Sequence, residues 1–177
     1  MADGVVVWLT GLPSSGKSTL AARVAAELRA GGVATAELDG DAVRACIVPP
    51  HGYGDRGRGD FYATLARLAA LLAAQGTVVL VPATATRAAF RDLARSLSPR
   101  FVEVFLDVPL DECRRRDAKG LYSAAAPDLP GLTVHYEAPL HPEVTVRDAA
   151  ASDVARVIRA IDLVRGTSPE GAAQEVL

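Results

Sequence analysis

The sequence predicts an α/β fold in which helices cover both faces of a five-stranded parallel sheet. Short apolar runs alternate along the chain with longer segments whose apolar residues recur at helical spacing, and this order builds a parallel sheet from strand-helix-strand units. The first run, Val5–Leu9, is apolar throughout and rich in β-branched residues, as expected for a strand buried on both faces. Because the sequence shows no internal repeat and no sign of a second domain, we expect one domain over residues 1–165.

Apolar spacing and turn residues set the bounds of each predicted element. The predicted strands are Val5–Leu9, Val33–Leu38, Thr77–Val81, Phe101–Leu106 and Val144–Val146. The predicted helices are Lys17–Ala30, Asp41–Ile47, Phe61–Gln75, Arg87–Leu97, Pro109–Arg116 and Ser152–Arg165, with Ser152 as the cap of the last one. The expected inward-facing stripes are Leu20, Val24 and Leu28 in the first helix, Leu65, Leu68 and Leu72 in the third, and Val154, Val157, Ile158 and Ile161 in the last.

Two stretches of the chain lack any regular spacing. Pro49–Gly59 is rich in glycine and proline, which indicates a loop, and Asp117–His141 is irregular as well. Both are longer than ordinary connections between elements, so we expect mobile substrate loops or lids at 49–59 and 117–141. The last residues, 166–177, are expected to form a flexible tail.

Composition excludes several classes of function. The formal net charge of the 177 residues is −2, so no broad basic field is available for nonspecific binding of nucleic acid. No stretch approaches the ~20 apolar residues that a membrane helix needs, and the N-terminus lacks a signal-peptide pattern. The two cysteines, Cys46 and Cys113, fit no metal spacing and are expected to be reduced in a cytoplasmic protein.

The most informative motif is the segment Gly11–Thr19, which reads Gly-Leu-Pro-Ser-Ser-Gly-Lys-Ser-Thr between the first strand and the first helix. This is the pattern of a phosphate-binding loop (P-loop). Backbone amides from about Ser14 onward would meet phosphate oxygens, Lys17 would reach the β- and γ-phosphates, and the Ser18 hydroxyl would ligate Mg²⁺. A chance glycine-rich turn is the alternative, but the full pattern in this context favours ATP with Mg²⁺. The predicted nucleotide-binding residues of the loop are Gly11, Ser14, Ser15, Gly16, Lys17, Ser18 and Thr19.

A pair of carboxylates, Asp39 and Asp41, follows the second predicted strand. The carboxyl ends of strands line the ligand crevice of an open α/β sheet, so one of the two could orient a phosphoryl acceptor or take the proton from its hydroxyl. Asp41 could equally be the N-cap of the next helix. Arg44, three residues beyond Asp41, would lie on the same helical face and could clamp an anionic acceptor.

Arginines in the two irregular stretches are further candidates for the site. Arg56 and Arg58 lie beside Tyr53, and this combination suits stacking on a ring while holding an anion, although a solvated loop is an equal alternative. The run Arg114–Arg116 enters the second stretch. One of its arginines could stabilise charge on a transferred phosphoryl group, and we favour Arg116, although such runs often only offset the helix dipole.

These residues resemble those of the adenylylsulfate (APS) kinase family over roughly residues 5–165. The likeness is carried by Trp8–Leu12, by Leu38–Asp41 with Val43 and Arg44, by Phe101–Tyr122 and by Tyr136–Pro139. The resemblance implies a P-loop nucleotide-kinase fold with a five-stranded parallel sheet, usually as a homodimer. It also implies transfer of the γ-phosphate of MgATP to the 3′-hydroxyl of adenosine 5′-phosphosulfate.

The resemblance also implies roles for single residues. Asp41 would contact the acceptor hydroxyl, and Asp39 would help to organise Mg²⁺ together with Ser18. The expected substrate-binding residues are Asp39, Asp41, Arg44, Tyr53 and Arg56. Arg116 and Lys119 would lie in the lid beside the nucleotide, and Lys17, Asp41 and Arg116 would be the catalytic residues.

Departures from the family pattern are concentrated on the acceptor side. The family's asparagine after the loop arginine has no clear match in Gly57–Asp60, and its serine-proline turn after the third strand is replaced within Pro82–Thr86. The lid's lysine and phenylalanine become Pro127 and Leu129. A lost stacking ring and a lost charged hydrogen bond could together change acceptor affinity by about 2–5 kcal/mol.

Three hypotheses for the function therefore stand. The leading one is an ATP- and Mg²⁺-dependent kinase that phosphorylates APS or a related small molecule. The second is a kinase of the same type that acts on a different small hydroxyl metabolite, because the ATP side is kept and the acceptor side is altered. The third is a nucleotide-binding module without catalysis, which the presence of Lys17, Ser18 and Asp41 together disfavours.

Overall fold

A computed structural model describes residues 4–52, 54–117, 120–124, 128–148 and 150–166. Within this part of the chain, five strands form a sheet in the order β2-β3-β1-β4-β5, and every pair of neighbours is parallel. The strands are β1 (Val5–Gly11), β2 (Thr35–Glu37), β3 (Val78–Pro82), β4 (Phe101–Leu106) and β5 (Val144–Val146). The helices are α1 (Lys17–Ala30), α2 (Gly40–Cys46), α3 (Asp55–Ala74), α4 (Ala88–Leu97), α5 (Leu110–Arg116) and α6 (Ala151–Arg165). The predicted fold class is confirmed.

The central strand β1 has no exposed residue, because helices pack on both of its faces. Side chains alternate between the faces of a strand, so Val5, Val7 and Leu9 join the core beneath α1 and α6. Val6 and Trp8 join the core beneath α3 and α4 on the other face. Burial on both faces explains why the sequence of this strand is apolar throughout.

Helix α3 begins at Asp55, so the prediction of a loop over 49–59 is wrong for residues 55–59. Of the glycines in this stretch, Gly57 permits close packing rather than a turn. A Cβ added to Gly57 would overlap the backbone of Gly52, which passes against this first part of the helix. Two glycines inside a helix cost about 1 kcal/mol each relative to alanine, and the burial of Phe61 and Tyr62 further along the helix offsets that cost.

The face that α3 buries also differs from the prediction. Its buried residues are Phe61, Tyr62, Leu65, Ala66, Ala69 and Ala73, which recur at helical spacing. Leu68, which we expected to point inward, is 37% exposed, and Leu71 is 58% exposed. Phe61 and Tyr62 determine which face is buried. Because Ala66, Ala69 and Ala73 have small side chains, the helix lies close against the sheet along the rest of this face.

The alternative role of Asp41 as a cap and the cap predicted at Ser152 are both wrong. Asp39, not Asp41, caps α2, because its Oδ1 accepts hydrogen bonds from the backbone N–H groups of Asp41 (3.0 Å) and Ala42 (3.3 Å). Asp41 therefore lies in the first turn of the helix. At α6, Ala150 occupies the cap position and no side chain caps the helix, so Ser152 lies one residue inside it.

The described ranges contain no helix that is long and apolar enough to cross a membrane. Cys46 is exposed and Cys113 is buried, and both are free thiols. Residues 167–177 of the predicted tail lie outside the described residues.

The alanine face of α3 leads to a first prediction. Ala69 is fully buried, so Ala69→Leu should overpack the helix against the sheet and lower the free energy of unfolding by about 1–3 kcal/mol. Urea denaturation measures this change. The same substitution at the exposed Ala74 is the matched control and should change stability by less than about 0.5 kcal/mol. Equal losses in both variants would contradict the orientation of α3.

Candidate active site

The candidate site lies at the edge of the sheet where the parallel strands end. The carboxyl ends of parallel strands meet at one edge and line the ligand crevice. Here β1 leads into the phosphate loop, β2 leads to Asp39, and β3 leads to the segment 83–87. Residues 131, 132 and 134–137, which follow α5, supply the outer wall of the crevice.

The phosphate loop has backbone that ordinary residues rarely adopt. Gly11 has φ 151° and Gly16 has φ 99°, and Ser14 has φ 60° although it is not a glycine. A Cβ on Gly11 would lie 2.8 Å from the Leu106 carbonyl oxygen, so glycine is required there. Left-handed residues within such a loop turn successive N–H groups toward one concavity, which binds anions. The conformation therefore fits phosphate.

Polar side chains of the loop also fit a phosphate ligand. The hydroxyl oxygens of Ser14 and Ser15 are buried without a hydrogen-bond partner among the described residues, and such groups normally have one. The Lys17 ammonium group donates to the carbonyl oxygens of Gly11 (2.9 Å) and Leu12 (2.7 Å). It therefore lies across the start of the loop.

A hydrogen bond joins the phosphate loop to the end of β2. The Ser18 hydroxyl donates to Oδ2 of Asp39 at 2.9 Å, while Oδ1 of the same carboxylate caps α2. Hydroxyl and carboxylate oxygens are the ligands that Mg²⁺ uses beside substrate phosphates and water. The described residues include no group of three or more His, Cys, Asp or Glu side chains that could hold a metal. This pair therefore fits a metal that is shared with a bound nucleotide.

Of the three arginines at the end of α5, Arg116 reaches the phosphate loop. Its Nη1 donates to the Ser15 carbonyl oxygen at 3.3 Å, and its Nε donates to Glu112 at 3.0 Å. Arg115 donates to Glu112 from the other side, and hydrogen bonds from Arg115 and then Arg116 lower the pKa of that carboxyl. The side chain of Arg115 is 74% exposed, compared with 35% for Arg116.

The first turn after α5 is bonded to the phosphate loop, which sequence reasoning missed. The Tyr122 hydroxyl donates to the Pro13 carbonyl oxygen at 3.0 Å, and burial raises the pKa of Tyr122 to about 12. Asp117 accepts hydrogen bonds from the backbone N–H groups of Tyr122 (3.0 Å) and Ser123 (2.9 Å). These bonds, the one from Tyr122 first, lower the pKa of Asp117. Lys119 lies outside the described residues.

Asp41 is exposed in the first turn of α2, and Arg44 lies one turn further along. The guanidinium carbon of Arg44 is 3.8 Å from the centre of the Phe61 ring, and its Nη1 donates to the His51 carbonyl oxygen at 3.0 Å. Arg44 therefore joins α2, α3 and the segment before α3.

Arg58, rather than Arg56, faces the crevice. The Arg56 side chain is 97% exposed, and its Nε is 3.9 Å from Oδ2 of Asp60. Arg58 lines a cavity, and its Nη2 donates to the Asp128 carbonyl oxygen at 3.0 Å. The two arginines are two residues apart, so they point in different directions on a helix. Tyr53 lies outside the described residues.

Two cavities of about 470 and 260 Å³ adjoin each other in the crevice, because Val134 and His135 line both. The larger is otherwise lined by Leu12, Gly131, Leu132 and Tyr136, and the smaller by Asp55, Arg58, Thr86, Arg87, Phe90 and Glu137. An ion pair of 2.8 Å between Arg87 and Asp55 joins α3 to the start of α4 beside the smaller cavity. Leu129 is 3% exposed and lines neither cavity, and Pro127 lies outside the described residues.

Thr10 of β1 connects the segment after β3 to the outer wall of the crevice, and sequence reasoning missed it. Its hydroxyl donates to the Thr84 carbonyl oxygen (2.6 Å) and lies 2.9 Å from the Tyr136 hydroxyl. Burial raises the pKa of Tyr136 to about 12, so this phenol stays neutral. Tyr136 belongs to a family-like segment of the sequence, and that was the only signal for it.

Comparison with known proteins gives a consistent result. The family model for adenylylsulphate kinase matches residues 3–147. An adenylyl-sulfate kinase from Synechococcus sp. (strain JA-2-3B'a(2-13)) is 39% identical over 165 residues, which span 91% of this chain and 92% of the relative. The structure of the Mycobacterium tuberculosis APS kinase CysC in complex with AMPPNP and APS superposes with a TM-score of 0.85 at 35% identity, covering 92% of this chain and 99% of that one.

A second solved structure supports the fold alone. The hexameric APS kinase from Thiobacillus denitrificans has a TM-score of 0.66 at 24% identity and covers 93% of this chain and 29% of that one.

The different directions of the two arginines lead to a second prediction. Arg58→Ala should raise the KM for the phosphoryl acceptor more than Arg56→Ala, because Arg58 lines the crevice and Arg56 faces solvent. Loss of one charged hydrogen bond to a ligand is worth roughly 1.5–3 kcal/mol, or about 10- to 100-fold in KM. Steady-state kinetics with the acceptor varied at saturating ATP measure both values. A larger effect of Arg56→Ala would restore Arg56 as the substrate arginine.

Proposed function

This chain belongs to the adenylylsulphate kinase family, and we propose that it transfers the γ-phosphate of MgATP to the 3′-hydroxyl of adenosine 5′-phosphosulfate. Kinases of this family transfer a phosphoryl group from ATP to a hydroxyl group, so the chain is a phosphotransferase. The observation that carries the proposal is the Ser18–Asp39 hydrogen bond of 2.9 Å. It holds the phosphate loop beside the turn that presents Asp41.

On the nucleotide side, the chain supplies donors for the phosphate oxygens. The loop amides and the N-terminus of α1 face the phosphates, and this geometry favours negative charge there. Lys17 moves its ammonium group from the loop carbonyls to the β- and γ-phosphates. Ser18 and Asp39 would hold Mg²⁺, which would neutralise charge on the phosphates.

On the acceptor side, Asp41 orients the attacking hydroxyl and receives its proton. Arg44 and Arg58 bind the anionic part of the acceptor, with Arg58 taking the place that the sequence suggested for Arg56. Arg116 stabilises the charge on the transferred group from the lid side, because it already reaches the Ser15 carbonyl oxygen in the phosphate loop. Lys119 and Tyr53 remain predictions for the lid and for stacking on the acceptor base.

A second candidate is a kinase of the same chemistry that acts on a different small hydroxyl compound. It is favoured by Leu129, which is buried and lines neither cavity, so no side chain at this position is available to stack on an adenine. Arg44 is also engaged with the Phe61 ring and the His51 carbonyl oxygen. Membership of a kinase family removes the basis for the third hypothesis, a module without catalysis.

The remaining expectations stay predictions. They are the requirement for Mg²⁺, a homodimer as the assembled form, a cytoplasmic location and mobility of the lid segments.

Turnover of APS decides between the two candidates. The purified protein with ATP, Mg²⁺ and APS should release ADP and form the 3′-phosphorylated product with saturation in APS. A coupled assay for ADP, with product identity checked by mass spectrometry, measures this. Absence of turnover in protein that binds ATP would reject APS as the acceptor and leave the second candidate.

The roles of Asp41 and Lys17 give a further prediction. Asp41→Ala should lower kcat by roughly 10²- to 10⁴-fold, since it removes the proposed general base, while the Kd of ATP stays close to that of the unmodified protein. Lys17→Ala should lower kcat and also weaken ATP binding, because Lys17 contacts the phosphates both in bound ATP and in the transition state. Calorimetric titration with ATP and steady-state rates separate the two outcomes. A near-normal kcat for Asp41→Ala would show that Asp41 has no catalytic role.

A further inference from the structure

Arg91 of α4 is a buried cation that joins three separate segments of the chain. Its side chain is 3% exposed. Nη1 donates to the Ala85 carbonyl oxygen at 2.6 Å, Nη2 donates to the Glu137 carbonyl oxygen at 2.7 Å, and Nε donates to Oε1 of Glu103 at 2.7 Å. These partners belong to the segment after β3, to the outer wall of the crevice, and to β4.

Two of these partners, Ala85 and Glu137, belong to the segments that form two walls of the smaller cavity. Glu137 lines it directly, and Ala85 immediately precedes Thr86, which also lines it. The walls are paired further by the Glu137 N–H, which donates to the Thr86 carbonyl oxygen (2.8 Å), and by the Ala88 N–H, which donates to Oε2 of Glu137 (2.6 Å). Arg91 itself does not line the cavity.

The backbone at Ala85 needs such a contact. Its φ of 45° lies in the left-handed region, which costs a non-glycine residue free energy and persists only where the surroundings impose it. The hydrogen bond from Nη1 holds this carbonyl, and the Tyr62 hydroxyl accepts the Ala85 N–H at 2.9 Å. The backbone N–H and C=O groups of Ala85 are therefore both held by hydrogen bonds to buried side chains.

The positive charge of Arg91 is compensated by the carboxylate of Glu103. Glu103, which is 8% exposed, accepts from Nε of Arg91, and Arg95 approaches its other oxygen at 3.4 Å. A buried guanidinium is tolerated only when it is paired and its donors are satisfied. Its planar fork can hold two carbonyl oxygens and one carboxylate at once, which a lysine ammonium group on a flexible stem cannot reproduce.

We propose that Arg91 is a positioning residue that fixes the two walls of the smaller cavity, which Arg58 also lines, relative to each other and thereby sets the affinity for the acceptor. The inference rests on the proposed function only in naming the acceptor. Arg91 acts through Ala85 and Glu137 and contacts neither substrate.

The test compares Arg91→Met and Arg91→Lys with Arg95→Met. Arg95 lies one turn further along α4 and is the control. Its substitution removes ion pairs with Glu143 (2.6 Å) and Glu103, but Arg95 contacts neither wall of the cavity. The first readout is the rate of hydrogen exchange at the backbone amides of Ala88 and Glu137. The exchange rate of the Val7 amide in β1 serves as the reference, so that global destabilisation is corrected for. The second readout is steady-state kinetics, in which the change in KM for APS is compared with the changes in kcat and in KM for ATP.

In Arg91→Met, we expect faster exchange at both wall amides and a rise in KM for APS of roughly tenfold or more, with kcat and KM for ATP nearly unchanged. Arg91→Lys should be intermediate, and Arg95→Met should leave both readouts as in the unmodified protein. Unchanged wall exchange in Arg91→Met, or an equal change in Arg95→Met, would overturn the proposal. If the unmodified protein does not turn over APS, the proposed acceptor is wrong, and the exchange readout alone decides the role of Arg91.

Discussion

The hydrogen bond between Ser18 and Asp39 is the contact on which the arrangement of the site depends. One oxygen of Asp39 accepts from the first turn of α1, and the other caps α2. A single carboxylate thus sets the phosphate loop against the turn that carries Asp41. Phosphoryl transfer requires donor and acceptor to be held in line within a fraction of an ångström. The fold meets this requirement with one short polar contact between the segments that follow β1 and β2, two strands that β3 separates in the sheet.

The nucleotide side of the site could be predicted from sequence because its chemistry is local. The phosphate loop, the strand before it and the helix after it are contiguous, and each residue of the motif has a fixed place in that geometry. Helix α1 and strand β4 have the bounds that the pattern predicts. The apolar run of β1 also identified a strand that is buried on both faces, because burial on both faces leaves no polar position.

The acceptor side could not be predicted to the same depth, because its residues are brought together by tertiary packing. Gly57 and Gly59 read as a loop, yet they lie in a helix that is stabilised by the burial of Phe61 and Tyr62. Once that helix starts at Asp55, Arg56 and Arg58 point in different directions. Arg91 has no motif around it, and its partners are 6 to 46 positions away in the chain. No local pattern contains that information.

The alanine face of α3 has a consequence in terms of entropy and stiffness. Alanine loses no rotamer freedom on burial, so the helix is held against the sheet without that cost. The same side chains have no rotamers with which to absorb a displacement. Since α3 has 20 residues and a rise of about 1.5 Å per residue, it acts as a rod of about 30 Å. The buried face of the rod packs on the sheet and its first turns carry Arg58, so a tilt of the helix on the sheet would be transmitted to the mouth of the crevice.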